Sequence, residues 1–579
     1  MGRTVSIIGV SDSHNAAAAL ISPDGSLRAL QEERPTRIKN YFDVPTGAIA
    51  WLLEQANLKP GDVEEVALAN LVPFPPADRA STIRSFRESG SLAGRIKDHL
   101  RRTPIGAMVY ARRKQERLAR YQAMGFRADQ LRTYEHHSCH AATAYYGYGD
   151  LDTPVLIVTC DGAGDGLCAT VSVGQGGVIT RKFSVDWENS FGVVYAVITY
   201  MTGMVPNEHE YKIMGMAPYA SPSASRKMRD KLLDLYTWDS SGAPVWKRKP
   251  GVPTMMTIQP VLEKLFFEER FDAIMGGAQL FTEAMMVELV RRAIATTGIR
   301  RVACSGGVFM NVKANKAIME LEEVDDLYVF PSCGDETNAI GAAYLAQAAR
   351  HGGASVPRLS SLYLGPEWSD AEIEKALAPV LADGSMTMVR PESINDAVVE
   401  CLVAGEVVAR FAGREEFGAR SLGNRAIIAD PRAPEVIQVI NEMVKSRDFW
   451  MPFAASVQAE MVDQYLENPK HIPAPYMIMS FDTTPLGAHD LKAGTHPYDR
   501  TCRPQVVERE ANPEYWDLIE RFRLRTGVGG IVNTSLNLHG LPLVHRPEDA
   551  LEVMQRSGLR RLAIGPFLVT KNVADQSIR

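Results

Sequence analysis

The residues with the clearest chemical potential lie between Tyr134 and Tyr146, YEHHSCHAATAYY, a stretch that holds His136, His137 and His140 of the chain's 12 histidines. His136 and His140 are four apart, so a helix stacks their imidazoles on one face about a turn apart, near enough to share a metal. The Ala-rich continuation AATA suits a helix opening at about His136. Two surface or core-edge histidines are the plainer alternative. Asp161 and Asp165 lie in DGAGDG, a turn that either closes a hairpin or holds phosphate or metal through backbone amides and carboxylates. Asp335, in SCGDETN, is either an N-cap or a carboxylate facing the same cleft as the histidines. Ser305-Gly306-Gly307 precedes a predicted helix carrying Asn311 and Asn315, and paired glycines there let the backbone approach phosphate or ribose.

The C-terminal part is rich in cations at regular spacings. Arg414, Arg420 and Arg425 fall in one loop, and Arg500, Arg503 and Gln505 in another. Lys445 and Arg447 are two apart, which on a strand points both to one face. Asn533, Ser535 and Asn537 alternate at a strand end. Each arginine alone reads as a surface salt bridge; together, if the elements converge, they make an oxyanion or polyphosphate pocket.

The elements that must position these residues alternate between strand and helix. VSIIGV, the turn SDSHN and AAAALIS read as strand, loop and returning strand; VLIVTC, DGAGDG and LCATVSVG repeat that unit. The repeat predicts a duplicated lobe, as actin-like ATPase folds have, in an α/β chain. HGGASVPRLSS, from His351, reads as a linker, after which the alternation restarts. At 579 residues the chain needs more than one core. It is 45% hydrophobic and 23% charged, with a net charge of −6, which argues against nucleic acid as the main partner. No apolar run approaches a membrane span and the first residues lack a signal-peptide pattern. Seven cysteines without a CxxC pair fit reduced thiols in a cytoplasm. From Asp78 to Arg127 lysine and arginine dominate, either as a solvated helical insertion or as a basic rim that steers anions.

The motifs DSHNAAAAL, EERPTRIKN, EHHSCHAA, CDGAGDG, EYKIMGMAPY, SGGVFMN, SCGDETNAIGAA, EFGARSLGNRAIIADPR, KSRDFWMPFAASV, DRTCRPQVV and NTSLNLHGLPLV resemble, in order and over nearly the whole chain, the O-carbamoyltransferases of nodulation-factor and antibiotic biosynthesis. The resemblance implies an actin-like N-terminal domain, 1–355, and a C-terminal α/β domain, 362–579, similar to the threonylcarbamoyl-adenylate synthase fold. It implies that ATP and carbamoyl phosphate form carbamoyl-adenylate, whose carbamoyl group passes to a small-molecule hydroxyl, on a sugar or macrolide. It further implies a divalent metal, iron with Mn²⁺ or Mg²⁺ as alternatives, held by His136, His140, Asp161 and Asp335, and an acceptor-activating pair, Asp12 and His14. Implied nucleotide contacts are Lys39, Glu210, Lys212, Gly306, Gly307 and Asn311. Implied carbamoyl-phosphate and ATP contacts are Arg414, Arg420, Lys445, Arg447, Arg503, Asn533 and Ser535. The chain departs from the family at Asn15, where Asp is common. Two other readings are a regulatory or scaffold protein that keeps the fold without turnover, and carbamoyl transfer to tRNA. No membrane partner is expected, and the oligomeric state stays open, a homodimer being one option.

Overall fold

The computed structural model describes residues 6–74, 77–89, 91, 103–445 and 447–572. The first apolar run becomes β1 (Ile7–Ser11), buried along its length, with β2 (Ala17–Ile21) antiparallel on one side and β4 (Glu65–Ala69) parallel on the other. β3 (Leu27–Gln31) and β5 (Leu131–Tyr134) complete a sheet of order β3-β2-β1-β4-β5. A strand covered on both faces carries an unbroken apolar run, which is why IIGVS and AAALI lack alternation.

The second sheet repeats the first. β6 (Val155–Gly164), β7 (Leu167–Gln175) and β8 (Val178–Asp186) form an antiparallel meander, and after the hairpin β9 (Tyr236–Trp238) and β10 (Trp246–Arg248) the chain adds β11 (Arg301–Ser305) and β12 (Asp326–Val329). The order is β12-β11-β6-β7-β8, with β11 parallel to both β6 and β12. Each sheet thus has a three-strand meander followed by two parallel strands on the far side of its first strand. This is the duplicated actin-like arrangement expected from the repeated strand–loop–strand pattern.

Two small-residue helices lock this unit. Helix Asn338–His351 packs on β1 so closely that a Cβ on Gly9 would lie 1.9 Å from the Ala339 carbonyl oxygen. It meets helix His136–Tyr148 at Gly341, where a Cβ would lie 2.1 Å from the Cys139 oxygen. One expectation fails here: helix Phe271–Thr297 is long and apolar enough to cross a membrane, although hydropathy along the sequence suggests no such run. Met275, Phe281, Met285, Leu289 and Val290 on it are fully buried, so its apolar character serves the core. In the basic stretch, helix Pro104–Ala123 forms as expected, while positions 92–102 lie outside the described residues.

The second unit is built on a mixed eight-stranded sheet. Its strands are β13 (Met386–Val389), β14 (Val408–Phe411), β15 (Arg425–Ala429), β16 (Ala454–Gln458), β17 (Gln505–Val507), β18 (Gly530–Ser535), β19 (Arg561–Ile564) and β20 (Phe567–Lys571). They lie in the order β13-β20-β19-β14-β15-β18-β16-β17 around a core that includes Phe411, Ile427, Val532 and Leu562. The chain divides into Met1–Glu32 with Asn40–Leu359, and Glu33–Lys39 with Ser360–Arg579. The unbroken 1–355 domain of the sequence reading therefore gives up a seven-residue piece. Arg34, buried in the second unit, donates to the Gly418 carbonyl at 2.6 Å and pairs with Glu415 at 3.2 Å, and Arg37 donates to the Leu543 carbonyl at 2.8 Å.

Gly9→Ala is expected to destabilise the first unit by about 3 kcal/mol or more, beyond the ~1–3 kcal/mol typical of overpacking, because the added methyl meets backbone. Thermal denaturation checks this, with a native-like midpoint counting against the packing described.

Candidate functional site

Helix His136–Tyr148 begins where Glu135 caps it, its carboxylate accepting from the amides of His137 and Ser138. The first two turns then project His136 and His140 to one side, both fully buried, with their Nε2 atoms 3.1 Å apart. Asp161, near the end of β6, brings Oδ2 to 2.8 Å from His136 Nε2 and 3.5 Å from His140 Nε2. Asp335, opening the short turn before helix Asn338–His351, places Oδ1 3.7 Å from each imidazole. Ligand atoms of these four residues all lie within 4.8 Å of one another. For ions with ligand distances of about 2.1 Å, cis ligands stand roughly 3 Å apart, so the set fits a divalent first-row ion with positions left for substrate. Asn338 fits as well: it is fully buried beside the cluster, its Nδ2 is 3.2 Å from His140 Nε2, and its Oδ1 has no hydrogen-bond partner. The remaining histidine turns away, with His137 Nδ1 on Thr159 Oγ1 at 2.8 Å.

The electrostatics agree with a seat for a cation. Burial pulls the His136 imidazole down, but Asp335 and Asp161 outweigh it and hold it at about 9. Burial likewise opposes charge on His140, and the nearby carboxylates of Asp161 and Asp335 raise it. Burial would raise Asp161, yet the two imidazoles hold it well below the usual carboxylate range. By contrast, burial and then repulsion by His136 and His140 push His137 down to about 3, so it is neutral. Carboxylates that favour a protonated His136 equally favour a bound cation.

The loops around the cluster show why their glycines are there. A Cβ on Gly164 would sit 2.1 Å from the His136 ring. Gly306 has a φ of 109°, and a Cβ on Gly307 would lie 2.8 Å from Asp161 Oδ1. Asp165, paired with Asp161 in the sequence, serves the backbone instead, accepting from the amides of His136 at 2.9 Å, Leu71 at 2.8 Å and Val72 at 3.0 Å. Asn311 lies before its helix and caps it, accepting from Ala314 N at 3.1 Å and exchanging hydrogen bonds with Gln279. Burial pushes Glu210 up to about 7, and Lys212 lies on the same short helix, Glu210–Met216.

Asp12 and His14 are not the pair anticipated. The Asp12 carboxylate accepts from Arg117 at 2.7 and 2.6 Å and from the Tyr121 hydroxyl at 2.9 Å, because a carboxylate at this buried position draws the nearest guanidinium. His14 lies edge-on to Phe42, ring centroids 6.5 Å apart. Sequence reasoning also missed Asn70, Asn338 and Arg117. Asn338 is three residues after Asp335 and was within reach of a helix-face argument; Asn70 and Arg117 were not, since only the fold brings Asn70 to His136 and Arg117 to Asn70.

The second unit has its own site. A cavity of about 60 Å³ is lined by Arg420, Arg447, Arg503, Asn533 and Ser535, all anticipated as anion contacts. Burial, then the charges of Arg420 and Arg447, pull Arg503 well below the ordinary guanidinium value. Lys445 ends a helical turn, Asn441–Lys445, so the strand geometry assumed for it and Arg447 is incorrect. Its ammonium donates to Ser535 Oγ at 3.1 Å and to the Asn537 carbonyl at 3.2 Å. Burial, then Arg447 and Lys39, lower its pKa well below the usual lysine value. Lys39 is itself part of the second unit, within Glu33–Lys39. Asn533 donates to Ser456 Oγ and Gln505 Oε1, both at 3.0 Å, and Arg414 is committed to the carbonyls of Leu364 and Gly365.

Two family models match the chain: Carbamoyltransferase N-terminus over residues 6–344 and Carbamoyltransferase C-terminus over 399–571. Nodulation protein NolNO of Sinorhizobium fredii is 30% identical, covering 97% of this chain and 80% of that protein. Nodulation protein NolO of Bradyrhizobium diazoefficiens is 32% identical over 76% of this chain and 79% of that protein. An uncharacterized protein of Synechocystis is 29% identical over 97% and 96%. Full-length HypF in its phosphate- and nucleotide-bound form covers 60% of this chain and 56% of that chain at 12% identity, with a TM-score of 0.33; the fold assignment rests on strand order, not on that superposition.

Mn²⁺ at one hundred times its Kd should stabilise the wild type by about 2.7 kcal/mol, read as a rise in melting temperature. Gly164→Ala, whose methyl must displace the His136 ring, should lose that rise. An undiminished rise would show that the ion sits elsewhere.

Proposed function

The chain belongs to the carbamoyltransferase family, and from that premise we propose that it makes carbamoyl-adenylate from carbamoyl phosphate and ATP in its second unit and transfers the carbamoyl group to a small-molecule hydroxyl in its first. The observation that carries this reading is the convergence of Arg420, Arg447 and Arg503 on one cavity, in a unit separate from the His₂Asp₂ cluster. Carbamate is a poor acyl donor, so transfer to an alcohol calls for a mixed anhydride with AMP as leaving group. Hydrolysis of carbamoyl phosphate leaves carbamate and phosphate; carbamate attack on the α-phosphorus of ATP then releases pyrophosphate. The alcohol oxygen finally bonds to the carbamoyl carbon, AMP departs, and the alcohol proton goes to a base.

The residues suit that sequence of steps. Arg420, Arg447 and Arg503 bind phosphate oxygens through charge-assisted hydrogen bonds, and an incoming anion relieves the repulsion among them. Lys445 is fixed by Ser535 and Asn537, and Ser535 lines that pocket. His136, His140, Asp161 and Asp335 would hold a divalent ion, iron in our proposal, which when bound would supply Lewis-acid polarisation to the transfer. His14 takes the alcohol proton, imidazole being the side chain whose ordinary chemistry suits a general base. Asp12 has no part in that step, being engaged by Arg117 and Tyr121. We place the acceptor among natural products with sugar or macrolide hydroxyls.

With ATP, carbamoyl phosphate and Mn²⁺ but no acceptor, the wild type should accumulate carbamoyl-adenylate, read by mass spectrometry. Arg503→Ala should lower its formation about 100-fold, whereas His136→Ala should keep it within about three-fold while failing in transfer. No pyrophosphate and no intermediate from the wild type would sink the proposal.

A further inference from the structure

The Asp12–Arg117 pair points away from acceptor activation and toward the metal cluster. Arg117 lies on helix Pro104–Ala123 with its side chain 4% exposed. Beside its two bonds to Asp12, it donates from Nη1 to the Asn70 carbonyl at 2.7 Å and from Nη2 to the Ala69 carbonyl at 2.6 Å. These are the last residue of β4 and the residue after it. One guanidinium thus ties a strand end to the loop after β1. Asn70 has a φ of 72°, in the left-handed region, and only 1% of it is exposed. Asparagine tolerates that conformation better than most residues, and here it turns the side chain onto the cluster. Asn70 Oδ1 lies 2.8 Å from His136 Nδ1. Asn70 Nδ2 reaches Ser13 Oγ at 3.5 Å, and Ser13 in turn reaches Asp335 Oδ2 at 3.5 Å.

An amide oxygen only accepts, so at 2.8 Å Asn70 Oδ1 takes a hydrogen from His136 Nδ1, the 3.4 Å approach of Asn338 Nδ2 to that nitrogen being the weaker contact, and Nε2 is the nitrogen presented to Asp161, His140 and any ion. From this geometry we infer that Asn70 is a positioning residue that fixes the tautomer and ring orientation of His136, and that Arg117 holds Asn70 in the backbone conformation this requires. The inference rests on reading the His₂Asp₂ cluster as a metal site. It also accounts for Asp12: by pairing with Arg117 it lets a guanidinium stay buried under that cluster.

Binding of Mn²⁺ to the full-length protein, followed by the electron paramagnetic resonance of the free ion, separates the possibilities. Asn70→Gly keeps the positive φ and removes the acceptor, and should weaken binding about 10–100-fold, the usual cost of losing a partner of a metal-bound histidine. Asn70→Asp restores an acceptor and should bind within about three-fold of wild type. Arg117→Lys keeps the charge but loses the fork; it should weaken binding alone, yet add nothing in combination with Asn70→Gly if it acts through Asn70. Unchanged affinity in Asn70→Gly overturns the role of Asn70, and additive losses in the double variant overturn that of Arg117. A wild type that binds no Mn²⁺ would overturn instead the metal reading beneath both.

Discussion

Two imidazoles and two carboxylates are gathered in one small volume of the first unit, and that concentration of charge constrains everything around it. Fully buried histidines facing carboxylates are costly unless a cation, proton or metal, balances them. The surrounding structure is devoted to keeping the four groups close despite that cost. Glu135 starts the helix at the right residue, Asp165 ties its first amide to a neighbouring loop, and Gly164 leaves room for the ring. The small residues of helix Asn338–His351 let it approach both β1 and the histidine helix, which carries Asp335 in to close the cluster.

The second unit faces the opposite electrostatic problem. It crowds cations around one cavity, and Arg503 and Lys445 both carry the mark of mutual repulsion in a buried place. An anionic ligand entering that cavity relieves the repulsion. Other cations in the same unit are balanced internally: Arg425 stacks on Phe411, 3.8 Å from the ring centre, and donates to backbone carbonyls, so a count of arginines in the loop overstates the pocket.

The sequence was most informative where function depends on local spacing. The i, i+4 histidines, the repeated strand–turn–strand unit and the alternation around Asn533 and Ser535 all encode geometry within a few residues. It was least informative where a side chain has two neighbours distant in the chain. The resemblance implies Asp12 and His14 as a pair, yet Arg117, more than a hundred residues later, holds Asp12 in an ion pair. Arg447 lines the pocket and Lys445 bonds to Ser535 on its wall, but Lys445 does so from a helical turn, since the run NEMVK follows helix Glu435–Ile440 instead of opening a strand. Nothing in EERPTRIKN signals that Lys39 belongs to the second unit.

That excursion of Glu33–Lys39 bears on how such a protein can be divided. The linker near position 360 looks like a natural place to separate the chain into two genes or two expressed pieces. A fragment starting there would lack Arg34 and Arg37, and with them one ion-pair partner of Glu415 and the hydrogen bonds those arginines give to the carbonyls of Gly418 and Leu543. Independent inheritance of the two units is therefore obstructed by seven residues, and a lineage that split them would first have to replace that graft.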